Sequence, residues 1–249
     1  MLAFVLNYMM KKLFISAAIC LGIVLSLWIV ARITGMLQFY SIPTVANEPT
    51  IKKGDKVFTT NLKEAKPYEF IAFTSKYEDS VLAQYSEGYK RGSHYLYRLC
   101  GIGGNTLEMK NGVLYVDGKN FDESLNLKYS FQIGTKAFNE LIEEADKNEE
   151  ENYRPSGTTQ DSIIIMFDRL QVKKYRLQLK LTPFIMSDTI NGPFKWLDIN
   201  STWTADNFGP LHIPTACYFA LGDNRHNAMD SRYTGFIKAH DIKGVVLNK

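Results

Sequence analysis

The sequence has little cysteine and almost no excess of charge of either sign. Its 249 residues include 3 cysteines, 29 lysines and arginines, and 26 aspartates and glutamates, which leaves a formal net charge of +3. Three cysteines cannot form a disulfide framework, and because Cys20 lies in an apolar run, at most one bridge remains, between Cys100 and Cys217. Nucleic-acid-binding proteins carry a clustered basic excess, so this class is excluded.

Metal-ligand spacings and low-complexity segments are missing as well. The four histidines lie at spacings that match no zinc motif, so neither a metal nor another cofactor is expected. Apolar residues make up 45% of the chain and charged residues 22%, and this balance excludes a disordered or fibrous protein. A chain of this length forms one large domain or two small domains around a buried core.

One long apolar run lies near the N-terminus. Residues 13–31 are 19 consecutive uncharged and mostly apolar residues. At about 1.5 Å per residue they span the hydrocarbon core of a bilayer, which is about 30 Å thick. A cleaved secretory signal is the alternative interpretation. A membrane anchor is favoured because the run exceeds the apolar part of such signals and no small-x-small cleavage site follows it.

The charges beside this run predict its orientation. Lys11 and Lys12 precede it and Arg32 follows it, so with the α-amino group the N-terminal flank is the more positive one. This asymmetry favours a cytoplasmic N-terminus. We therefore predict a cytoplasmic segment over 1–12, a single membrane helix over 13–33, and an extracytoplasmic remainder of the chain.

Beyond this helix the pattern is typical of antiparallel β-structure. Two alternating apolar runs surround Asn111 and Gly112, the dipeptide that a type I′ turn favours because both central residues need a positive φ, and this predicts a hairpin. Asp117 and Gly118 repeat the signal. Other strands are predicted at 56–60, 69–74, 94–102, 162–167, 175–181 and 218–221.

One helix is predicted among these strands. Phe138, Leu141, Ile142 and Ala145 follow the i, i+3, i+4, i+7 spacing of an amphipathic helix over 137–151. The segment carries seven acidic residues and one lysine. This composition is typical of a solvated helix face beside an exposed loop rather than of a functional acidic patch.

Three segments resemble the signature motifs of one enzyme family. GDNRHNAMDSRYTG, at 222–235, closely resembles the C-terminal signature of the type I signal peptidases (leader peptidases), approximately GDNRxxSxDSRxxG. IPTVANEPTIKKGDKV, at 42–57, is similar to the family's PSxSMxPTLxxGD segment. YRLCGIGGNTLEMKNGVLYVDGK, at 97–119, is similar to KRVxGLPGDxVxxxNGxLYVNG. The three segments follow the apolar run in the family's order.

The resemblance implies a mainly β fold with one N-terminal transmembrane helix. An antiparallel signal-peptidase-like β core, made of 38–119 and 206–249, is expected to follow the helix. A β-rich cap is expected as an insert at 120–205, where the family carries a variable cap, and the predicted helix falls inside it. No motif matches this insert.

The family's chemistry needs a serine nucleophile and a neutral lysine as general base. The resemblance places the serine at Ala46, the lysine at Tyr97 and a further, supporting serine at Ala228, and it leaves Thr44 as the oxyanion-hole hydroxyl. No catalytic residue of the dyad is therefore intact. The motif residues that persist are Pro49, Thr50, Gly54, Asp55, Arg98, Gly222, Asp223, Asn224, Arg225, Asp230, Ser231 and Arg232.

These replacements indicate loss of catalysis. Removing the nucleophile of a serine protease lowers turnover by about a million-fold. Three replacements together favour a natural pseudoenzyme over the two alternatives, an engineered mutant and a rewired active protease. A rewired site could draw on the hydroxyls of Thr44, Thr50 and Tyr97 and on His94 and His226 as bases. His94 precedes Tyr97 by three positions in a predicted strand, so their side chains should lie on opposite faces.

The sequence thus predicts a non-catalytic binding or scaffold subunit at the outer face of the bacterial inner membrane. Its expected partners are the lipid bilayer and a protein or an extended signal peptide in the degenerate cleft. Alternatively the cleft is vestigial and the insert, with Phe184, Trp196 and Trp203, forms a partner interface; otherwise these aromatic residues form the core of the cap.

The second hypothesis is an active type I signal peptidase that removes signal peptides from secreted preproteins with unorthodox or engineered catalytic residues. A second homologue with intact serine and lysine in the same genome would favour the non-catalytic interpretation. If this chain were the only copy, processing of precursors would require it to be active.

Overall fold

Strands dominate the part of the chain that the structure describes. The computed structural model describes residues 2–76, 79–80, 92–147, 153–159, 162–174, 180–187, 193–197 and 202–249. The helices are α1 (Leu2–Thr34), α2 (Thr135–Lys147), α3 (Arg169–Lys174) and α4 (Ser231–Thr234), with a 3-10 helix at Ala239–Asp241. The strands are β1 (Gln38–Ser41), β2 (Lys56–Thr60), β3 (Phe70–Thr74), β4 (His94–Ile102), β5 (Thr106–Lys110), β6 (Val113–Val116), β7 (Lys119–Asn120), β8 (Lys128–Gly134), β9 (Gly157–Thr158), β10 (Ser162–Asp168), β11 (Leu181–Pro183), β12 (Phe208–His212), β13 (Cys217–Leu221), β14 (Ile237–Lys238) and β15 (Ile242–Val246).

Helix α1 is the apolar element at the N-terminus. It begins at Leu2, earlier than the predicted span over 13–33, because residues 2–10 are also mostly apolar and contain no helix breaker. Its stretch Leu6–Thr34 is long and apolar enough to cross a membrane, and its apolar side chains are exposed rather than packed against the rest of the protein. The predicted apolar helix is therefore confirmed in its length and composition.

A seven-stranded antiparallel sheet forms the main body, in the order β1-β2-β15-β3-β4-β13-β14. Because successive side chains in a strand point to opposite faces, β3 divides its residues between two core clusters. The Phe73 cluster contains Ala46, Ile71, Phe73, Tyr97, Leu99, Ala220, Ile237 and Val245. The Phe70 cluster contains Ile42, Ile51, Val57, Phe70 and Val246, with Tyr40 and Leu96 packed against it.

The predicted hairpin is confirmed. β5 pairs with β6 around Asn111 and Gly112, whose φ angles are 50° and 82°, and Asp117 and Gly118 make the next turn with φ angles of 49° and 76°. The predicted strands at 56–60 and 94–102 coincide with β2 and β4, and those at 69–74, 162–167 and 218–221 differ from β3, β10 and β13 by one residue at one end. These elements bear out the mainly β, antiparallel fold.

The predicted insert contains a second, four-stranded sheet in the order β11-β8-β10-β9. Helix α2 packs on one face of this sheet, where its Phe138 and Leu141 join Ile133, Ile165 and Phe167 in a buried cluster. The predicted helix over 137–151 is confirmed as far as Lys147, and 148–151 lie outside the described residues. Of the strand predicted at 175–181, residues 175–179 also lie outside them, and Leu181 begins β11.

One open question is answered and one expectation needs correction. The sequence left a bridge between Cys100 and Cys217 open; both cysteines are free, and Cys100 is fully buried. Trp196 and Trp203 do not form a core of the insert's own: both pack on an aromatic cluster that includes Phe208 of β12, which lies outside the insert. Both tryptophans follow β11 in the sequence and pack on this cluster rather than on the cluster of the insert's own sheet.

Candidate functional site

A cleft of about 520 Å³ lies where three separate segments meet. Residues 40–47, at and after the end of β1, form one wall. Residues 93–97, at the start of β4, form another. Asn227 and Met229 from the loop after β13 contribute a third side, and Ala72 of β3 also lines the cavity. All three motif segments thus contribute to the cleft: 42–57 and 222–235 each supply more than one residue, and 97–119 supplies its first residue, Tyr97.

The structure brings together the three positions that the resemblance assigns to reacting and supporting residues. Ala46 and Tyr97 are each 8% exposed and belong to the Phe73 cluster, and Ala228 packs against the same cluster. Gly222 explains the close approach of the loops: a Cβ on this glycine would come within 2.5 Å of both the Ala46 carbonyl oxygen and the Ala228 Cβ. Only glycine therefore fits at this position.

Tyr97 is fixed in the cleft by its ring and by its hydroxyl. The ring lies 6.0 Å from that of Phe73 between centroids, and the hydroxyl donates a hydrogen bond to the Met229 carbonyl at 2.9 Å. The phenol thereby joins β4 to the loop after β13. At the position assigned to the lysine, the side chain thus makes a structural contact with the backbone.

The loop that carries Ala46 is closed by backbone bonds at its two ends. Ile42 N–H donates to the Asp55 carbonyl at 2.9 Å, and Gly54 N–H donates to the Ile42 carbonyl at 2.8 Å. Gly54 has a φ of 91°, which is a conformation that favours glycine. The Asp55 carboxylate accepts from Lys52 N–H at 3.1 Å, and Pro49 lies half-buried within the loop. The retained motif residues therefore shape this turn.

A buried ion pair joins this loop to β4 and to the signature segment. Arg98 donates to the two oxygens of Asp223 at 2.7 and 2.6 Å, a bidentate geometry that strengthens and orients the pair. The Thr50 hydroxyl donates to the same carboxylate and accepts from Arg98. Thr50 is therefore committed to this network and does not line the cleft.

The segment over 222–235 holds a second set of buried charges. Asp230 caps α4 and forms two hydrogen bonds of 2.8 Å with Arg232, and both side chains are completely buried. Ser231 Oγ accepts from the backbone N–H of Ala220 at 3.1 Å. Asn224 N–H donates to the Ala46 carbonyl at 3.0 Å, which places the signature segment directly behind the loop that carries Ala46.

Sequence reasoning missed the partners that the insert supplies to this segment. Arg225 forms a bidentate pair with Asp122 at 2.9 and 2.7 Å, and both are buried. Tyr129 donates to the same carboxylate, and burial raises the pKa of its hydroxyl well above its ordinary value. Burial likewise raises the pKa of the neighbouring Cys100 thiol to about 12, so this cysteine stays protonated. No local signal marks Asp122, since its partner lies 103 residues away.

His226, in the signature segment, contacts the insert and does not line the cleft. Its Nδ1 accepts from Ser130 N–H at 3.1 Å, and its Nε2 lies 3.0 Å from Asp206. Burial raises the pKa of the Asp206 carboxyl, but hydrogen bonds from His226 and from Met186 N–H outweigh burial and hold it below its usual value. Both ring nitrogens are thus occupied, and the imidazole has no free nitrogen to accept a substrate proton.

Of the hydroxyls and bases considered for a rewired site, Thr44, Tyr97 and His94 line the cleft. Thr44 is exposed there. Burial, with a smaller effect of Lys243, lowers the pKa of His94. The His94 ring contacts Tyr40, which packs on the Phe70 cluster, whereas Tyr97 belongs to the Phe73 cluster, so the two side chains lie on opposite faces as predicted. Among the described residues, no group of three or more His, Cys, Asp or Glu could hold a metal ion.

An antiparallel β core behind an N-terminal apolar helix, with its motif residues gathered around one cleft, defines the class of protein. The chain belongs to the signal peptidase family: the family model described as signal peptidase, peptidase S26, matches residues 11–248. The chain is 25% identical over 221 residues to signal peptidase I P of Bacillus subtilis subsp. natto, covering 88% of this chain and 84% of that protein.

Two further proteins are similar to this chain. Signal peptidase I of Aquifex aeolicus is 26% identical over 215 residues, which cover 83% of this chain and 73% of that protein. A crystal structure of a signal peptidase I from Enterococcus faecalis V583 is 24% identical, covers 74% of this chain and 98% of that chain, and has a TM-score of 0.33.

Proposed function

We propose that this chain is a membrane-anchored member of the signal peptidase family that holds an extended peptide in its cleft without hydrolysing it. One observation carries the proposal. The positions that the motifs assign to the serine and the lysine hold Ala46 and Tyr97, and these two residues line one cleft. General-base catalysis needs a proton to remove from a nucleophile, and a methyl group at position 46 offers none.

The walls of the cleft support peptide binding. β1 is an edge strand of the seven-stranded sheet. β13 pairs with β4 only from Arg98 onward, so in the described part of the chain no strand pairs with the start of β4 on that side. Both unpaired edges line the cleft, where the Tyr40 and His94 rings lie 5.3 Å apart. An extended peptide can add to such an edge through backbone hydrogen bonds.

The side chains of the cleft favour an uncharged peptide. No aspartate, glutamate, lysine or arginine is among the described residues that line it, and the lining combines tyrosines with small residues. A charged side chain would be desolvated here without an ionic partner, which is costly. The apolar region of a signal peptide and the small residues at its cleavage site have the chemistry that fits.

The membrane orientation is part of the same proposal. Lys11 and Lys12 precede the apolar stretch that is long enough to cross a membrane, and the positive flank favours the cytoplasmic side. The cleft then faces outward, where preproteins emerge. Protease added to intact spheroplasts should digest the chain beyond Gln38; protection until the membrane is lysed would overturn this orientation.

The peptide-holding function is tested with the full chain in detergent micelles. A labelled preprotein with a photo-reactive residue in its signal peptide should crosslink to the cleft and be recovered at its full length. Placing the photo-reactive residue in the mature part, far from the signal peptide, gives the matched control. Equal crosslinking from both positions, or none from either, would contradict the proposal.

A second candidate function is proteolysis by a rewired site. It is favoured by the placement of Thr44, an exposed residue that lines the same cleft as His94. In this case Thr44 attacks the scissile carbonyl, and its proton must pass to a base. Thr44→Val, which keeps the shape of the side chain and removes the hydroxyl, separates the two functions because only a nucleophilic threonine loses turnover.

A further inference from the structure

The unpaired start of β4 presents backbone groups in a fixed alternation. Leu99 N–H donates to the Glu69 carbonyl at 2.7 Å, and the Leu99 carbonyl accepts from Tyr68 N–H at 2.9 Å, so both groups of Leu99 face the β3 side. In antiparallel strands the backbone groups of alternate residues face opposite sides. Because β3 and β4 pair without a bulge from Phe70–Arg98 to Thr74–His94, the backbone groups of Leu96 and His94 face away from β3.

One of these outward-facing groups is already occupied. Asn47 Nδ2 donates to the Leu96 carbonyl at 2.6 Å. A carbonyl only accepts, so this bond fixes which end of the Asn47 amide is the nitrogen. Asn47 is 3% exposed, and its Oδ1 has no hydrogen-bond partner among the described residues. The amide nitrogen of Asn47 thus covers the Leu96 carbonyl at the edge of β4, while the amide oxygen stays buried without a hydrogen bond from the described residues.

The sequence context makes this contact specific to the chain. Asn47 follows Ala46 directly, where the motif PSxSMxPTLxxGD has a methionine. A thioether has no hydrogen to donate, so a methionine could not cover the Leu96 carbonyl. Asparagine at this position therefore changes what the edge of β4 offers to a bound chain.

We propose that Asn47 is a specificity-determining residue of the cleft, which blocks the Leu96 carbonyl and shortens the hydrogen-bond ladder available to an extended peptide. The N–H and C=O of His94 and the N–H of Leu96, which face away from β3, have no partner strand among the described residues and remain for a ligand. This assignment rests on the peptide-holding function proposed above. Its consequence is selectivity along the peptide backbone: the ligand N–H opposite the Leu96 carbonyl contributes nothing to binding.

The test measures binding of peptides that lack one backbone N–H each. The probe is an end-blocked, fluorescein-labelled octapeptide of Ala, Val, Thr and Ser, with a series in which one amide at a time is N-methylated. Fluorescence anisotropy is recorded with the full chain in detergent micelles. Asn47→Met and Asn47→Leu both free the Leu96 carbonyl, and the second is closer to asparagine in size.

Both variants should bind the unmodified peptide about 5-fold more tightly, since a net hydrogen bond of this kind is worth about 1 kcal/mol. One N-methyl position that the unaltered chain tolerates should weaken binding to both variants by a similar factor. A merely structural asparagine would not produce this position-specific change. Asn248 is the matched control: its Nδ2 donates to the Lys56 carbonyl of β2 at 3.1 Å outside the cleft, so Asn248→Leu should leave the methylation profile unchanged.

The outcomes separate the two proposals. Binding by the unaltered chain with the same methylation profile in both Asn47 variants would overturn the assignment of Asn47 and leave the peptide-holding function intact. Absence of binding by the unaltered chain and by every variant would overturn the peptide-holding function and this assignment with it.

Discussion

The signature segment over 222–235 and the adjoining cleft positions share one site but differ in what holds their residues in place. In the segment, Asp223, Asp230 and Arg232 are buried charges, each satisfied by a partner in the fold. In the cleft, Ala46 and Tyr97 are uncharged residues that belong to the Phe73 cluster. A residue that compensates a buried charge cannot be lost without loss of stability, whereas a residue needed only for reaction can be.

The difference explains which motif residues persist. Breaking a buried ion pair leaves a desolvated charge, which typically costs 3–5 kcal/mol, a large share of the stability of a domain. A serine hydroxyl that faces a cleft has no such role. Under the proposed function, the fold of this family member outlasts the family's chemistry, and the pattern of retained residues reports on stability rather than on activity.

The largest effect is expected from breaking the charges of the signature segment. Asp230→Ala removes the partner of the completely buried Arg232 and should lower the free energy of unfolding by about 3–5 kcal/mol. Urea unfolding of the full chain in detergent micelles measures this change. The control is Lys180→Ala, which removes a pair with Glu140 in which both side chains are about half exposed; its effect should stay below about 1 kcal/mol.

A smaller effect is expected from the cleft. Tyr97→Phe removes the hydrogen bond to the Met229 carbonyl and keeps the ring on Phe73, so unfolding should become easier by about 1 kcal/mol. Ala46→Ser, the matched control, adds a hydroxyl beside an open cleft and should change stability by less than about 1 kcal/mol. A loss at either position as large as that of Asp230→Ala would erase the distinction between segment and cleft.

The smallest difference is expected in the pH dependence of stability. Burial raises the pKa of Asp206, but His226 outweighs burial and holds this pKa below its ordinary value. The carboxylate therefore contributes stability that is complete above the unfolded-state pKa of about 3.9. This contribution is lost as the pH falls through the folded-state pKa. Asp206→Asn should therefore flatten the fall in stability below about pH 4, and Ala46→Ser should not; a fall of the same steepness in Asp206→Asn would refute this linkage.

Local features of the fold were predictable from sequence, and long-range ones were not. The hairpin at Asn111 and Gly112 follows from two residues that tolerate positive φ, and helix α2 follows from the spacing of its apolar residues. The pairing of Arg225 with Asp122 joins residues 103 positions apart, and no pattern within either segment announces it. The packing of Trp196 on the main body could not be predicted from the sequence for the same reason.

The candidate site shows the same limit. The resemblance to the family's motifs assigned Ala46, Tyr97 and Ala228, and the structure brings these three positions together. The role of Asn47 could not be read from the motif, because its partner, the Leu96 carbonyl, belongs to another segment and carries no side-chain signal. Backbone groups left open at a strand edge become visible only when the pairing of the strands is known.

The central claim is that the cleft retains its architecture without the chemistry, and one measurement tests it directly. The purified full chain in detergent micelles is incubated with a labelled preprotein, with an active signal peptidase as the positive control. We predict that the preprotein remains uncut by this chain throughout a period in which the control processes it completely. Cleavage at the normal processing site by the unaltered chain, abolished by Thr44→Val, would contradict the account and identify Thr44 as the nucleophile.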